Sequence, residues 1–233
     1  MKYFLSFYFF ILHIVIFTCF VKYDVLHKIS YKLDNTPQEW QQTQKVTHAF
    51  YLRTDKNLSR GKVIFIGDSH VQGLAVNEVT RHGINFGIGR DTSKIVLKRI
   101  KEYQSIQSAK AIVFSFGIND LQYRTSKEII ENYKKIFDST PKDTIKIVCA
   151  VFNIDTGTAL LSVNNNDIRL LNNKLAKFSS NYENTTFLNI NSTLNHNYEL
   201  LSQYHIGDGI HLNTGGYQVW IDALKETLTR RVE

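Results

Sequence analysis

The stretch KVIFIGDSH, residues 62–70, decides the fold. Residues 62–66 form a mainly apolar run rich in β-branched side chains, which is typical of a buried strand in a parallel sheet. Gly67 can adopt the tight backbone of a strand-to-helix turn. Such a turn presents the hydroxyl of Ser69 at the carboxyl edge of the sheet, where open α/β sheets bind ligands. In the alternative interpretation, Ser69 only caps a helix that begins at about Val71.

From residue 61 onward, strands alternate with helical patterns, which predicts right-handed βαβ units and a parallel sheet. The predicted strands are residues 62–66, 84–86, 111–116, 144–152 and 185–190. The predicted helices lie near residues 92–103, 126–138 and 166–180, and a last helix begins near residue 217. We therefore expect residues 61–233 to form a three-layer α/β/α sandwich with a five-stranded parallel sheet of the flavodoxin-like type.

Two polar residues near the C-terminus can complete a site around Ser69. A serine hydroxyl is a weak nucleophile until a base accepts its proton. His211 can be that base, and Asp208, three residues earlier in a short loop, can reach the other ring nitrogen and orient the imidazole. Without Ser69, both residues could equally be ordinary loop residues. The hypothesis therefore depends on the three residues together.

Asn119 follows the predicted strand of residues 111–116 and lies at the same edge of the sheet. Its side-chain amide can donate to an oxyanion that develops during acyl transfer, which typically lowers the barrier by about 3–4 kcal/mol. An Asn-Asp pair is also a common turn former, and this alternative stays open. We interpret Asp120 and Asp68 as structural residues that bond to nearby backbone or loops.

In their order along the chain, these motifs resemble those of the SGNH hydrolase family, also called GDSL esterases and lipases. The four motifs are Gly67-Asp68-Ser69-His70, Gly87-Ile88-Gly89-Arg90-Asp91-Thr92, Gly117-Ile118-Asn119-Asp120 and Asp208-Gly209-Ile210-His211. The segment Asn85-Phe86-Gly87-Ile88-Gly89 is similar to the second block of the platelet-activating-factor acetylhydrolase-like branch. The resemblance implies that Ser69 is the nucleophile, that Asp208 and His211 complete a triad, and that the Ser69 N–H and Asn119 hold the oxyanion.

Two positions depart from the family pattern. His70 stands where many members have leucine, a departure that we expect to be of little consequence. Arg90 stands where the family usually has a glycine whose N–H is an oxyanion donor. Because this donor is a backbone group, a side chain is tolerable at the position if φ is negative, whereas a positive φ would strain Arg90. The side chain could also place a cation at the pocket rim for an acidic or phosphate-bearing substrate, or be a solvated surface arginine.

The N-terminal segment of residues 3–21 carries no charge and is dense in Phe, Ile, Leu and Val. At about 1.5 Å per residue it is just long enough to cross a bilayer. We predict an uncleaved signal anchor over residues 1–21 and a juxtamembrane spacer over residues 22–60, because residues 17–20 offer no small-residue cleavage site. A cleaved signal peptide and a buried helix of the soluble domain are the alternatives.

Two observations favour opposite orientations of this segment in the membrane. Lys22, Lys28 and Lys32 follow the segment and only Lys2 precedes it, which favours a cytoplasmic C-terminus. Large domains cross a membrane largely regardless of charge, and the family resemblance implies work outside the cytoplasm. We therefore expect a single-pass membrane protein with an extracytoplasmic catalytic domain.

Composition and spacing exclude several classes of function. The two cysteines, Cys19 and Cys149, lie in the apolar segment and in a predicted strand, so they form no disulfide framework. No Cys/His spacing resembles a zinc site, and Gly87-x-Gly89 lacks the third glycine of a dinucleotide fingerprint, so we expect neither a metal nor a cofactor. The net charge is +7, but no basic cluster with interleaved aromatics indicates nucleic-acid binding.

These observations predict a membrane-anchored serine esterase. The expected substrate is a short-acyl ester, such as an O-acetyl group on an envelope glycan, with a lysophospholipid as the rival. An O-acyltransferase that uses the same triad and a glycan hydroxyl in place of water is a second hypothesis. A catalytically silent binding domain on the same scaffold is the third, and the intact set of Ser69, Asn119, Asp208 and His211 argues against it. The oligomeric state does not follow from the sequence.

Overall fold

The computed structural model describes residues 38–232 together with Tyr8, Leu12 and His13. The chain divides into two compact units, residues 1–47 and residues 48–233. The predicted signal anchor of residues 1–21 lies outside the described residues, apart from those three. Within the described residues, no helix combines the length and the apolar character that crossing a membrane requires.

A five-stranded parallel sheet forms the centre of the second unit, as predicted. Its strands are β1 (Val63–Gly67), β2 (Gly83–Gly87), β3 (Ala111–Ser115), β4 (Ile145–Cys149) and β5 (Thr185–Leu188). The strand order is β2-β1-β3-β4-β5, and all neighbouring pairs are parallel. A short antiparallel pair follows in the chain, formed by β6 (Asn195–His196) and β7 (Glu199–Leu200).

Helices cover both faces of this sheet. The helices of the described range 38–232 are α1 (Gln38–Asp55), α2 (Ser69–Gln72), α3 (Val76–Val79), α4 (Ser93–Arg99), α5 (Ser126–Asp138), α6 (Asn165–Ser179), α7 (Asn191–Leu194) and α8 (Thr214–Val232). The side chains of successive residues of β1 lie on opposite faces of the sheet. Ile64 and Ile66 pack with helices α4, α5 and α6 on one face. Val63 and Phe65 pack with helices α2, α3 and α8 on the other face. The result is the three-layer α/β/α sandwich that the sequence predicts.

Strand β4 ends earlier than predicted, at Cys149 rather than at residue 152. Beyond it, side-chain amides replace the neighbouring strand as hydrogen-bond partners. Asn172 accepts from the N–H of Val151 and donates to its carbonyl oxygen, both at 2.8 Å. Asn165 does the same for Ile154, at 2.9 and 2.8 Å. The chain can therefore leave the sheet while its buried backbone groups stay paired.

The helix predicted from about Val71 onward is interrupted. Helix α2 ends at Gln72 and α3 begins at Val76. Asn85 of β2 bridges the interruption, because its side-chain amide donates to the carbonyl oxygens of Val71 and Leu74 at 2.7 and 3.0 Å. These two bonds join the segment that follows the Ser69 turn to β2, the edge strand of the sheet.

The second compact unit begins at His48, inside the stretch that the sequence analysis assigns to a spacer. The second unit includes the end of helix α1 because hydrogen bonds hold this end to the domain. The carboxylate of Asp55, the last residue of α1, is buried. It accepts the N–H of Gln104 at 2.6 Å and the N–H of Ser105 at 3.1 Å. These bonds join residues about fifty positions apart, which no local pattern predicts.

Candidate active site

The turn between β1 and α2 presents Ser69 at the carboxyl edge of the sheet. The turn requires glycine at position 67, because a Cβ there would lie 2.2 Å from the carbonyl oxygen of Ser115. Asp68 is the N-cap of α2, since its Oδ1 accepts the N–H of His70 at 3.1 Å. The capping interpretation of Ser69 is therefore wrong, and Asp68 has the structural role that the sequence predicts.

Ser69, His211 and Asp208 lie in one hydrogen-bonded line. Nε2 of His211 is 2.9 Å from Ser69 Oγ, and Nδ1 of His211 is 2.6 Å from Asp208 Oδ2. With the Nδ1–H donated to the carboxylate, Nε2 has the lone pair that can accept the hydroxyl proton. This arrangement can activate a serine hydroxyl as a nucleophile.

Asp208 is oriented by the backbone of its own loop. Its Oδ1 accepts the N–H groups of Ile210 and His211, each at 2.9 Å, which leaves Oδ2 to the imidazole. Burial acts to raise the pKa of Asp208, but the His211 ring and the two N–H groups together outweigh it and hold this pKa below its ordinary value. Asp208 is therefore ionised at neutral pH and accepts the Nδ1–H of His211.

The turn after β2 lies next to Ser69, and the segment after β3 contacts this turn. A Cβ on Gly89 would lie 3.9 Å from the Cβ of Ser69. The N–H of Gly89 donates to Gln72 Oε1 of α2 at 2.7 Å. Asn119 donates one N–H of its amide to the carbonyl oxygen of Asp91 at 3.1 Å, and an amide has a second N–H. All the segments that the sequence singles out thus meet at one edge of the sheet.

Arg90 has a φ of +65°, in the left-handed region. This is the strained alternative of the two that the sequence leaves open. A non-glycine residue in this region costs roughly 1–2 kcal/mol. The neighbouring bonds hold the turn in this shape, because Asp91 N–H donates to the Ile88 carbonyl oxygen at 3.1 Å. The side chain of Arg90 is exposed.

Asp120 has the structural role that the sequence predicts. Its buried carboxylate accepts the N–H and the hydroxyl of Ser93 at 2.7 and 2.6 Å, which joins the segment after β3 to the start of α4. Burial raises the pKa of Asp120, and the bonds from Ser93 oppose this shift. In the part of the chain that the structure describes, no three His, Cys, Asp or Glu side chains are arranged as metal ligands.

His70 has a role that the sequence analysis missed. Its buried Nε2 donates to the carbonyl oxygen of Ile210 at 3.0 Å, and this bond ties α2 to the loop of Asp208 and His211. Burial acts to lower the pKa of His70, but the hydrogen bond and charge of Asp68, with smaller contributions from Ile210 and Asp208, raise it. The available signal was a ring with two hydrogen-bonding nitrogens directly after Ser69.

Comparison with known sequences identifies relatives over most of the chain. The model of the GDSL-like lipase/acylhydrolase family matches residues 65–219. The platelet-activating factor acetylhydrolase IB subunit alpha2 of Rattus norvegicus is 30% identical over 185 residues, which cover 73% of this chain and 77% of the rat protein. The human protein of the same name shows the same identity and coverage.

Solved structures share the fold. A Streptococcus pneumonia protein described by reference to platelet activating factor has a TM-score of 0.74 and 20% identity, over 89% of this chain and 99% of that one. A GDSL-like lipase from Bacteroides thetaiotaomicron has a TM-score of 0.67 and 18% identity, over 78% of this chain and 97% of that one.

Replacing His70 with leucine should destabilise the protein, because the carbonyl oxygen of Ile210 loses its donor. Loss of such a bond costs about 1 kcal/mol, which urea denaturation should record as a lower free energy of unfolding. His70→Gln is the matched control, since its amide N–H can reach the position of Nε2. Equal stability of the wild type and His70→Leu would contradict this role.

Proposed function

The chain belongs to the GDSL-like lipase/acylhydrolase family and is an ester hydrolase, and we propose that Ser69 is its nucleophile. The observation that carries the proposal is the hydrogen-bonded line from Ser69 Oγ through His211 to Asp208. Nucleophile, base and orienting acid are the three parts that an acyl-transfer site needs. Their position at the carboxyl edge of the sheet leaves the hydroxyl accessible to a ligand.

In the proposed mechanism, Ser69 Oγ attacks the ester carbonyl carbon while Nε2 of His211 accepts the hydroxyl proton. Asp208 holds the ring in place and stabilises the imidazolium that forms. His211 then protonates the alkoxide of the leaving alcohol, which leaves an acyl group on Ser69. Water, deprotonated by His211, attacks the carbonyl carbon of this acyl-enzyme. The bond to Ser69 Oγ then breaks, His211 returns the proton to Oγ, and the carboxylic acid leaves.

The proposed oxyanion hole has three donors, namely the N–H of Ser69, the side-chain amide of Asn119 and the N–H of Arg90. The bond from Asn119 to the Asp91 carbonyl oxygen supports this set, because it places the amide next to the Arg90 turn. Donors fixed in advance stabilise the negative charge of the tetrahedral intermediate without reorganisation. The φ of Arg90, +65°, is a backbone strain of the kind that clusters at active sites.

The proposed substrate is a short-acyl ester, in particular an acetyl ester. The relatives that support this choice are named acetylhydrolases. For the alcohol we propose an envelope glycan, with a lysophospholipid as the competing candidate. A panel of both ester classes, with the released acid and alcohol identified by mass spectrometry, distinguishes them.

We also propose that residues 1–21 anchor the protein in a membrane as a single-pass segment, with the catalytic domain on the extracytoplasmic side. The support is the uncharged apolar run of residues 3–21. A segment of this length can span the hydrocarbon core of a bilayer. The location would bring the site close to envelope glycans and lipids.

Ser69→Ala and His211→Ala should each lower kcat for p-nitrophenyl acetate by on the order of 10⁴-fold or more, because the residues of a triad act as a unit. Asp208→Ala should cost somewhat less. A fluorophosphonate probe should label the wild type at Ser69, and Ser202→Ala, which removes an exposed hydroxyl, is the control. Labelling at another serine would contradict the proposed mechanism.

The pH profile of the wild type provides a second measurement. The rate should fall as the pH is lowered from about 8 to 5, because an imidazole can act as a general base only in its unprotonated form. Asp208 does not cause this fall, since its pKa lies below the ordinary carboxyl value and it stays ionised there. A flat profile would argue against a histidine base.

Arg90→Gly should keep the activity on a neutral ester, because glycine retains the N–H and accepts the positive φ without strain. Asn119→Ala is the comparison variant, and it should lower kcat by about 10²-fold or more through loss of an oxyanion donor. If the guanidinium instead recognises an acidic substrate, Arg90→Gly raises KM for an anionic ester alone. Severe and equal losses on both esters would refute the backbone-donor role.

The full chain should sediment with membranes and resist carbonate extraction, because the apolar run of residues 3–21 would stay in the bilayer. The double variant Ile11→Lys, Ile14→Lys is the control, since each charge at the centre of such a segment costs about 2.5–3.5 kcal/mol. A reporter fused after Glu233 should give an extracytoplasmic signal. A cytoplasmic signal would overturn the proposed orientation.

A further inference from the structure

The loop of residues 206–211, which carries Asp208 and His211, closes on itself. At its base the N–H of Ile206 donates to the carbonyl oxygen of His211 at 3.0 Å. His205 and Leu212 pair next to this bond as an isolated antiparallel bridge. The side chain of His205 is buried. The imidazole of His205 therefore lies at the base of the loop, where it can bond to the loop backbone.

Nδ1 of His205 accepts two hydrogen bonds from the loop. They come from the N–H groups of Gly207 and Gly209, at 3.0 and 3.1 Å. These two glycines flank Asp208, and both have a positive φ, +104° and +72°. A nitrogen that accepts such bonds carries no proton, so the neutral ring must carry its hydrogen on Nε2.

Asp155 contacts both His205 and the loop of residues 206–211. Its Oδ2 lies 3.4 Å from Nε2 of His205, and its N–H donates to the carbonyl oxygen of Gly209 at 2.8 Å. The hydroxyl of Thr158 and the N–H of Gly157 fix the carboxylate, at 2.8 and 3.0 Å. Thr158 foremost, and His205 in part, hold the pKa of Asp155 below its ordinary value. A carboxylate at this place favours the Nε2–H form of the ring.

We propose that His205 is a positioning residue for ester hydrolysis, because its neutral imidazole fixes the backbone on both sides of Asp208. Because the backbone of Gly207 and Gly209 is fixed, the carboxylate of Asp208 keeps the orientation in which it accepts the hydrogen bond of His211 Nδ1. The inference rests on the proposed function, in which His211 activates Ser69. The side-chain hydrogen bonds of His205 go to the loop N–H groups, whereas Ser69 is bonded to His211, so we expect His205 to act on kcat and not on KM.

The test compares His205→Phe with His205→Asn in the full chain. Phenylalanine keeps the ring but has no acceptor, so kcat should fall about 10- to 100-fold while KM stays within about two-fold, as a small misplacement of a catalytic group predicts. Asparagine carries its Oδ1 at the position of Nδ1 and should restore kcat to within a few-fold of the wild type. If the phenylalanine variant does not fold, His205→Gln replaces it, since its acceptor reaches the Nε2 position instead.

Nitrogen NMR provides a readout that does not depend on activity. In the wild type at pH 7, Nδ1 of His205 should be unprotonated and Nε2 protonated. The amide hydrogens of Gly207 and Gly209 should exchange slowly in the wild type and in His205→Asn, and faster in His205→Phe or His205→Gln. A protonated Nδ1, or full kcat in the variants without the acceptor, overturns the inference.

The two proposals fail in different ways. If Ser69→Ala keeps the wild-type rate, the proposed function fails, whatever the His205 variants do. If Ser69→Ala is inactive and His205→Phe or His205→Gln keeps the full kcat, only the positioning role fails. A loss in the variants without an acceptor together with rescue by His205→Asn supports the role, because a merely structural residue would not depend on one acceptor atom.

Discussion

The buried ion pair of Arg99 and Asp91 is the interaction on which the rest of the site depends. The two charged groups lie 2.6 Å apart, and their side chains are only 2% and 1% exposed. Arg99 also donates to the carbonyl oxygen of Gly67 at 3.2 Å and to the hydroxyl of Tyr103 at 3.1 Å. A charge this deeply buried is tolerated only with its partner. The pair therefore fixes the end of β1, the turn after β2 and helix α4 at one point, and Asn119 joins them through the carbonyl oxygen of Asp91.

The features that the sequence predicts are those with local causes. The apolar run of residues 62–66 predicts β1, and the alternation of strands with helical patterns predicts the parallel sheet. The spacing of Asp208 and His211 predicts their contact, because two side chains three residues apart in a short loop can meet. The bond from His70 to Ile210 joins residues 140 positions apart, so no local pattern contains it. The end of β4 likewise depends on Asn172, which is 21 positions from Val151.

Arg90 shows how tertiary structure overrides a local preference. An arginine favours a negative φ, and the sequence leaves the conformation at this position open. Bonds on both sides decide it, because Gly89 N–H is held by Gln72 and Asp91 N–H by the carbonyl oxygen of Ile88. The Arg99 pair then prevents Asp91 from moving to relieve the strain. The surroundings rather than the residue itself determine the backbone at the edge of the site.

The loop of residues 206–211 is held by a set of hydrogen bonds in addition to apolar packing. Ile206 at its start is 65% exposed, whereas Ile210 is half-buried and packs against the core. Two buried imidazoles hold it in opposite ways: His70 donates to a loop carbonyl oxygen, and Nδ1 of His205 accepts from two loop N–H groups. Hydrogen bonds are directional, whereas apolar contacts are not. A polar support can therefore hold the 2.9 Å distance between His211 and Ser69 more tightly than apolar packing of a surface loop could.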